Sequence, residues 1–240
     1  MTYKHEIRKL IRKTGFDVSR FVPGSNAVAR KHRLISQFNI DLLLDVGANT
    51  GQFVEEMRRD LGYSGRVVSF EPLPNVFAEL NKNAKGDLLW ETRNCALGDA
   101  GGTAVINVAG NSVSSSLLEM KETHLNAAPS SKYIDSVKIE VCTLDSIFES
   151  LHQGEKEIFL KIDTQGFESR VLNGAEMSLP LINTVQLEMS VVPVYESEVL
   201  FIDLYSRMTR LGYYLISIAE VFWDDRTGEL LQIDGLFRKF

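Results

Sequence analysis

The sequence predicts one doubly wound α/β domain behind a helical N-terminal extension, and three observations carry that prediction. From residue 41 onward, short β-branched runs alternate with helical stretches, the pattern of a parallel sheet with helices on both faces. The first run ends in a glycine-containing turn, Asp45-Val46-Gly47-Ala48-Asn49-Thr50-Gly51, where such sheets bind ligands. A length of 240 residues suits one sizeable core better than two domains.

Taken in order, residues 41–46 read as the first strand and 51–61 as a helix whose Phe53, Val54 and Met57 pack on the sheet. Residues 66–70 form the second strand, ending at Glu71-Pro72. A helix over 75–83 follows, with Val76, Phe77 and Leu80 on one face, and residues 88–95 form the third strand. The alternation is then interrupted. Two extra strands, 103–109 and 137–141, flank a polar segment, 110–136, long enough to be a substrate-side lid. Order resumes with strand 158–162, helix 168–172, strand 184–189, helix 198–211, strand 214–218 and a final strand 230–237. Residues 1–40 read as a basic helical extension and 41–240 as the main domain.

Hydrophobic residues at 44% and charged residues at 24% are the balance of a globular chain. No apolar run approaches the roughly 20 residues of a membrane span, and the N-terminus carries no apolar signal core, so the expected location is cytoplasmic. The two cysteines, Cys95 and Cys142, lack a metal-type spacing and suit a reducing compartment. Residues 1–33 hold nine Lys or Arg (Lys4, Arg8, Lys9, Arg12, Lys13, Arg20, Arg30, Lys31, Arg33) against Glu6 and Asp17. That local balance of +7 leaves −13 on the rest of a chain whose total is −6. Such a lead segment suits an anionic membrane surface or a glycan-assembly partner, but a solvated helix face is the plainer reading of a charge run. The acidic body argues against nucleic acid as a partner.

Three ligands compete for the turn after the first strand. A phosphate-cradling loop needs Gly-Lys-Ser/Thr, but Gly51 is followed by Gln52 and Phe53. A dinucleotide fingerprint needs three glycines, whereas Gly47 and Gly51 are spaced G-x-x-x-G. A nicotinamide-dependent oxidoreductase remains the weaker alternative. Asp45 adds a carboxylate beside the loop, which suits the ammonium and sulfonium of S-adenosylmethionine and would repel pyrophosphate. Glu71, 20 residues after Gly51, is placed to accept hydrogen bonds from ribose hydroxyls. Asn94, Ala96 and Leu97, at the exit of the third strand, are candidates for the adenine edge, or an ordinary strand-to-turn exit.

These pieces resemble the FkbM-type methyltransferases. The resemblance rests on Asp45–Phe53, Ser69-Phe70-Glu71-Pro72, Ala96-Leu97-Gly98-Asp99, Ser114-Ser115-Ser116-Leu117, Leu160–Glu168, Val171–Ala175, Gln186-Leu187-Glu188 and Leu231-Gln232-Ile233-Asp234, in the family's order. It implies a class I methyltransferase (Rossmann-like) fold of seven strands with the last antiparallel, S-adenosylmethionine as cofactor, and O-methylation of hydroxyls on sugars, glycans or related secondary metabolites. A non-catalytic cofactor-binding member is a third possibility.

A sugar hydroxyl is a poor nucleophile while protonated, so a general base is expected near the transferred methyl. Asp163, at the end of strand 158–162, is the first candidate, either as base or as partner of the methionine ammonium; its alternative is a helix cap. Lys161, two residues earlier, lies on the same strand face and is expected to pair with Asp163 or Glu188. Glu188 would lie beside Asp163 if their strands are neighbours, and two carboxylates there could share a proton; the metal assignment is none. His124, in the polar segment, titrates near neutrality and is the third candidate base. Ser115 and Ser116 are candidate contacts for the cofactor carboxylate, while Gln52, Phe53 and Pro72 flank the binding turns. Tyr195, Trp223, Asp224 and Asp225 could form a sugar-stacking wall.

Overall fold

The computed structural model describes residues 3–16, 18 and 20–240; Asp17, part of the basic lead counted above, lies outside them. The described chain divides into a unit ending at Phe38 and a second unit, Asn39–Phe240. The first holds helices α1 (Tyr3–Arg12) and α2 (Ala27–Phe38). Asn26 starts α2 by accepting the Ala29 N–H on its Oδ1 at 2.9 Å, one of the orphan donors of a helix start.

In the second unit, β1 (Leu42–Val46), β2 (Arg66–Phe70), β3 (Trp90–Arg93), β7 (Ile158–Ile162), β8 (Thr184–Ser190), β9 (Tyr214–Trp223) and β10 (Leu230–Arg238) form one sheet. Its order is β3-β2-β1-β7-β8-β10-β9. β1, β2, β3, β7 and β8 pair in parallel, and β10 runs antiparallel to both neighbours. The last strand is therefore the antiparallel one, inserted beside the edge. Every residue of β1 and β7 is buried, because helices cover both faces of a parallel sheet. The strand order turns back between β1 and β7, which opens a crevice at their carboxyl ends.

Helices α3 (Gln52–Arg59), α4 (Pro74–Ala84), α6 (Leu144–Leu151), α7 (Glu168–Asn173) and α8 (Phe201–Arg210) connect the strands. A second sheet has the order β4-β6-β5, from β4 (Ala96–Leu97), β5 (Gly102–Ala109) and β6 (Tyr133–Cys142). The expected polar lid is shorter than 110–136, since β6 begins at Tyr133. Between β5 and β6 lie α5 (Glu122–Ala127) and a 3₁₀ turn, Pro129–Ser131.

Several boundaries move for local reasons. The third strand starts at Trp90, not residue 88, because Asp87 accepts the Leu89 N–H on its side chain and the Trp90 N–H on its carbonyl; Leu88 is left fully exposed. The helix expected from residue 198 starts at Phe201, because the Glu198 carboxylate turns back to Ser190, Val194 and Tyr195. Among the described residues no helix is long and apolar enough to cross a membrane.

Candidate active site

The turn after β1 is built from backbone in the left-handed region. Gly47 has φ 77°, Asn49 47° and Gly51 98°. The N–H groups of Gly47 and Ala48 donate to the Phe70 carbonyl at 3.1 and 3.0 Å, which ties the turn to the end of β2. Glu71 completes the tie, accepting the Asn49 N–H on Oε2 and the Leu73 N–H on Oε1, both at 2.9 Å. Burial pushes the Glu71 carboxyl up to about 7 against the lowering effect of those donors.

The glycines make room for the protein itself rather than for a ligand. A Cβ on Gly47 would lie 1.8 Å from the Asp163 carbonyl oxygen, and one on Gly51 would lie 2.7 Å from the Trp90 ring. The Asn49 side chain holds the turn from inside, accepting from the Thr50 N–H and from Gln52 Nε2, and donates to Ser112 Oγ at 3.2 Å. The turn is thereby linked to the segment after β5. Phe53 packs 6.3 Å from Phe159 with Lys161 Nζ 5.2 Å from its ring centre.

Asp45 requires a correction. Its carboxylate does not meet the crevice: it is fully buried, receives the Ser69 hydroxyl at 3.2 Å and lies 3.3 Å from Lys161 Nζ. The pairing register explains this, since Ser69 and Lys161 stand level with Asp45 on the two flanking strands. Burial raises the Asp45 pKa, and Lys161 opposes the rise. Lys161 also lies 3.2 Å from Asp163 Oδ2. Burial alone would lower the lysine's pKa, but Asp163, Asp45 and Asp234 outweigh it and raise it, so a charged ammonium sits between Asp45 and Asp163.

Asp163 and Glu188 come together as expected. Ile162 pairs with Leu187 in parallel register, so the next residue of each strand emerges side by side at the sheet's carboxyl edge. Gln165, with φ 55°, bridges them: its Nε2 donates to Asp163 Oδ1 at 2.9 Å and to Glu188 Oε2 at 2.7 Å. Its Oε1 accepts the Tyr195 hydroxyl at 2.7 Å, and its carbonyl accepts the Ser116 hydroxyl at 2.6 Å. Gln232 donates a further hydrogen bond to Glu188 Oε2 at 3.0 Å. Both Asp163 oxygens are thus engaged, while Glu188 Oε1 accepts no hydrogen bond among the described residues. Burial, then Asp163, Glu168 and Asp234, hold the Glu188 carboxyl well above the usual carboxylate range. The cap of the turn into α7 is Glu168, not Asp163: its Oε1 accepts from Thr164 N, Thr164 Oγ1 and Gly166 N.

A domain model of the FkbM methyltransferases matches residues 45–215, a span that contains the turn, Glu71 and the bridged carboxylates. The chain belongs to the FkbM methyltransferase family. Its sheet is that of a class I methyltransferase and its cofactor is S-adenosylmethionine.

No curated protein matches the sequence. Solved structures similar to this FkbM methyltransferase include an uncharacterized protein from Listeria monocytogenes serotype 4b, with TM-score 0.49 and 10% identity over 90% of this chain and 68% of that one. An rRNA methylase from Streptococcus thermophilus has TM-score 0.46 and 7% identity over 90% and 97%. LepI in complex with S-adenosylmethionine has TM-score 0.41 and 13% identity over 84% of this chain, which spans 43% of that protein.

The remaining candidates of the FkbM methyltransferase fall into two groups. Asn94 is occupied with the Glu71 and Pro72 carbonyls, at 2.9 and 3.1 Å, and the side chains of Ala96 and Leu97 are buried in β4. Ser115 Oγ accepts the Ala109 N–H, and Ser116 Oγ accepts the Leu118 N–H while donating to Gln165, so both hydroxyls brace the segment after β5. His124 is enclosed rather than solvated: it lies 5.2 Å from the Tyr195 ring and 4.9 Å from Phe222, Nδ1 has no hydrogen-bond partner among the described residues, and burial lowers its pKa to about 4. The stacking wall does not form, because Tyr195 is fully buried and Asp224 closes its own turn through the Arg226 and Thr227 N–H groups. Among the described residues, no group of three or more His, Cys, Asp or Glu side chains is arranged to hold a metal ion.

Proposed function

We propose that this FkbM methyltransferase methylates a hydroxyl oxygen of a sugar, glycan or related hydroxylated metabolite, with Glu188 as the general base. The catalytic domain in this reading is residues 41–240, and residues 1–40 are an extension. The reading is carried by the carboxylate pair just after β7 and late in β8, in which, among the described residues, only Glu188 keeps an unengaged oxygen.

The Gly47–Gly51 turn and Glu71 fit a nucleoside. The turn brings backbone close to the crevice, and each Glu71 oxygen, already holding one N–H, retains a lone pair for a ribose hydroxyl. S-adenosylmethionine supplies an electrophilic methyl carbon on a sulfonium. The acceptor hydroxyl would lie against Glu188 Oε1, which would take its proton while the oxygen accepts the methyl group that the cofactor would supply. A carboxyl held above its usual range binds that proton more firmly than an ordinary glutamate would. Asp163, fixed by Lys161 and Gln165, would help hold the methionine ammonium of the cofactor. The carboxylates here and the acidic body disfavour a phosphate-rich acceptor such as RNA.

The test is transfer of labelled methyl to nucleotide-sugars, lipid-linked glycans, small polyols and RNA, with calorimetric titration of S-adenosylhomocysteine alongside. Glu188→Gln should lower kcat on the best hydroxyl acceptor by about 10²–10⁴-fold while leaving the affinity for S-adenosylhomocysteine within about twofold. Methylation of RNA alone, or an unchanged kcat in Glu188→Gln, overturns the proposal.

A further inference from the structure

We infer that the N-terminal unit is a docking surface for an anionic lipid bilayer. The inference does not depend on which atom the enzyme methylates. At 100° per residue, Ile7, Leu10 and Ile11 fall within about 100° of arc on α1, while Arg8, Arg12, His5 and Lys9 span the opposite side. Of that arc Leu10 is 67% exposed and Ile7 exposed, and after the helix Phe16 is 73% and Phe21 63% exposed, with Val18 and Val22 exposed as well. Six large apolar side chains within 16 residues are left in water beside the exposed cations Lys9, Lys13 and Arg20.

Each class of occupant makes a different demand. A second copy of the chain would bring a +7 segment against another +7 segment and meet repulsion. A nucleic acid would match the charge, but aliphatic side chains such as Leu10, Val18 and Val22 have no ring to stack on bases and gain nothing along a phosphate backbone. An anionic bilayer satisfies both features, since cations settle among its headgroups while leucine and phenylalanine side chains enter the acyl boundary. The −13 carried by the rest of the chain is repelled by the same surface, so binding runs through this segment.

The test is co-sedimentation of the full chain with vesicles of phosphatidylcholine alone and of phosphatidylcholine with phosphatidylglycerol. The expected result is pelleting with the anionic vesicles only, weakened as salt rises to about 0.5 M, where charges are screened within a few ångströms. The triple variant Leu10→Glu, Phe16→Ser, Phe21→Ser should lower partitioning by about tenfold or more, and Lys9→Glu with Lys13→Glu by a similar factor. Far-UV circular dichroism and S-adenosylhomocysteine affinity should be unchanged in both. Absence of pelleting, equal pelleting of the apolar variant, or binding of single-stranded RNA at lower protein concentration than vesicles overturns the inference.

Discussion

Gln165 holds the two carboxylates Asp163 and Glu188 together. The Tyr195 hydroxyl donates into its Oε1, which obliges Nε2 to face Asp163 and Glu188. Gln165→Leu would remove the one hydrogen-bond donor that, among the described residues, both carboxylates share. The expected outcome is a loss of kcat of at least about tenfold, on the scale of one positioned catalytic contact. The acidic limb of the pH–rate profile should also move to higher pH, since Glu188 would lose a donor that favours its ionised form. A pH–rate series with KM for the cofactor unchanged checks this, and a mere packing role would leave the limb in place. The meeting of Asp163 with Lys161 and Glu188 was legible in the sequence because neighbouring parallel strands bring their carboxyl-end residues side by side. The hub was not, since Gln165 reaches partners 23 and 30 residues away, and no spacing rule covers that. Asp45 was misread for a related reason: which face it takes depends on a register set by Ser69 and Lys161 on neighbouring strands.

Among the elements, the turn after β1 is the most constrained. Gly47→Ala and Gly51→Ala both place a side chain in left-handed backbone, at a cost of about 1–2 kcal/mol each. Their clashes differ in kind. The Gly47 Cβ would strike backbone, the Asp163 carbonyl, whereas the Gly51 Cβ would strike the Trp90 side chain. Gly47→Ala should therefore be the more destabilising in urea unfolding, by more than about 3 kcal/mol in total, because β1 and β7 must part. It should also abolish methyl transfer by displacing Asp163. The sequence marked this turn by its glycines but assigned the tight approach to a ligand. It left α6 unread, although Leu144, Phe148 and Leu151 have helical spacing and Thr143 caps the start by accepting the Ser146 N–H; the short run was eclipsed by the strand before it. The strand pairing of the smaller sheet was not legible, because β4 has only two residues.

Across the whole molecule, Glu71 and Glu168 tie loops together while buried, and burial pushes both carboxyls up from 4.5 to about 7. The folded chain therefore holds protons that the unfolded chain releases between those values. The stability they contribute is fully present below about 4.5 and is lost as pH rises through about 7. For Glu168 the difference corresponds to at most about 3 kcal/mol. Thermal unfolding measured at pH 5 and pH 8 should show a smaller drop in Glu168→Gln, which keeps an acceptor for Thr164 and Gly166 but does not titrate. An equal drop would mean that the carboxyl titrates normally. The overall architecture was legible because β1 and β7 are apolar throughout and the alternation repeats, while the antiparallel insertion of β10 rested on the family resemblance alone. One further consequence follows from the packing of Trp90 beneath Gly51, with its indole N–H on Ser69 Oγ at 3.0 Å and that hydroxyl on Asp45. The chain has two tryptophans, and Trp223 is 44% exposed at the far edge of the sheet. The blue-shifted part of the native emission should therefore come from the indole under the Gly47–Gly51 turn, so a ligand seated on that turn is expected to change the emission without any added dye.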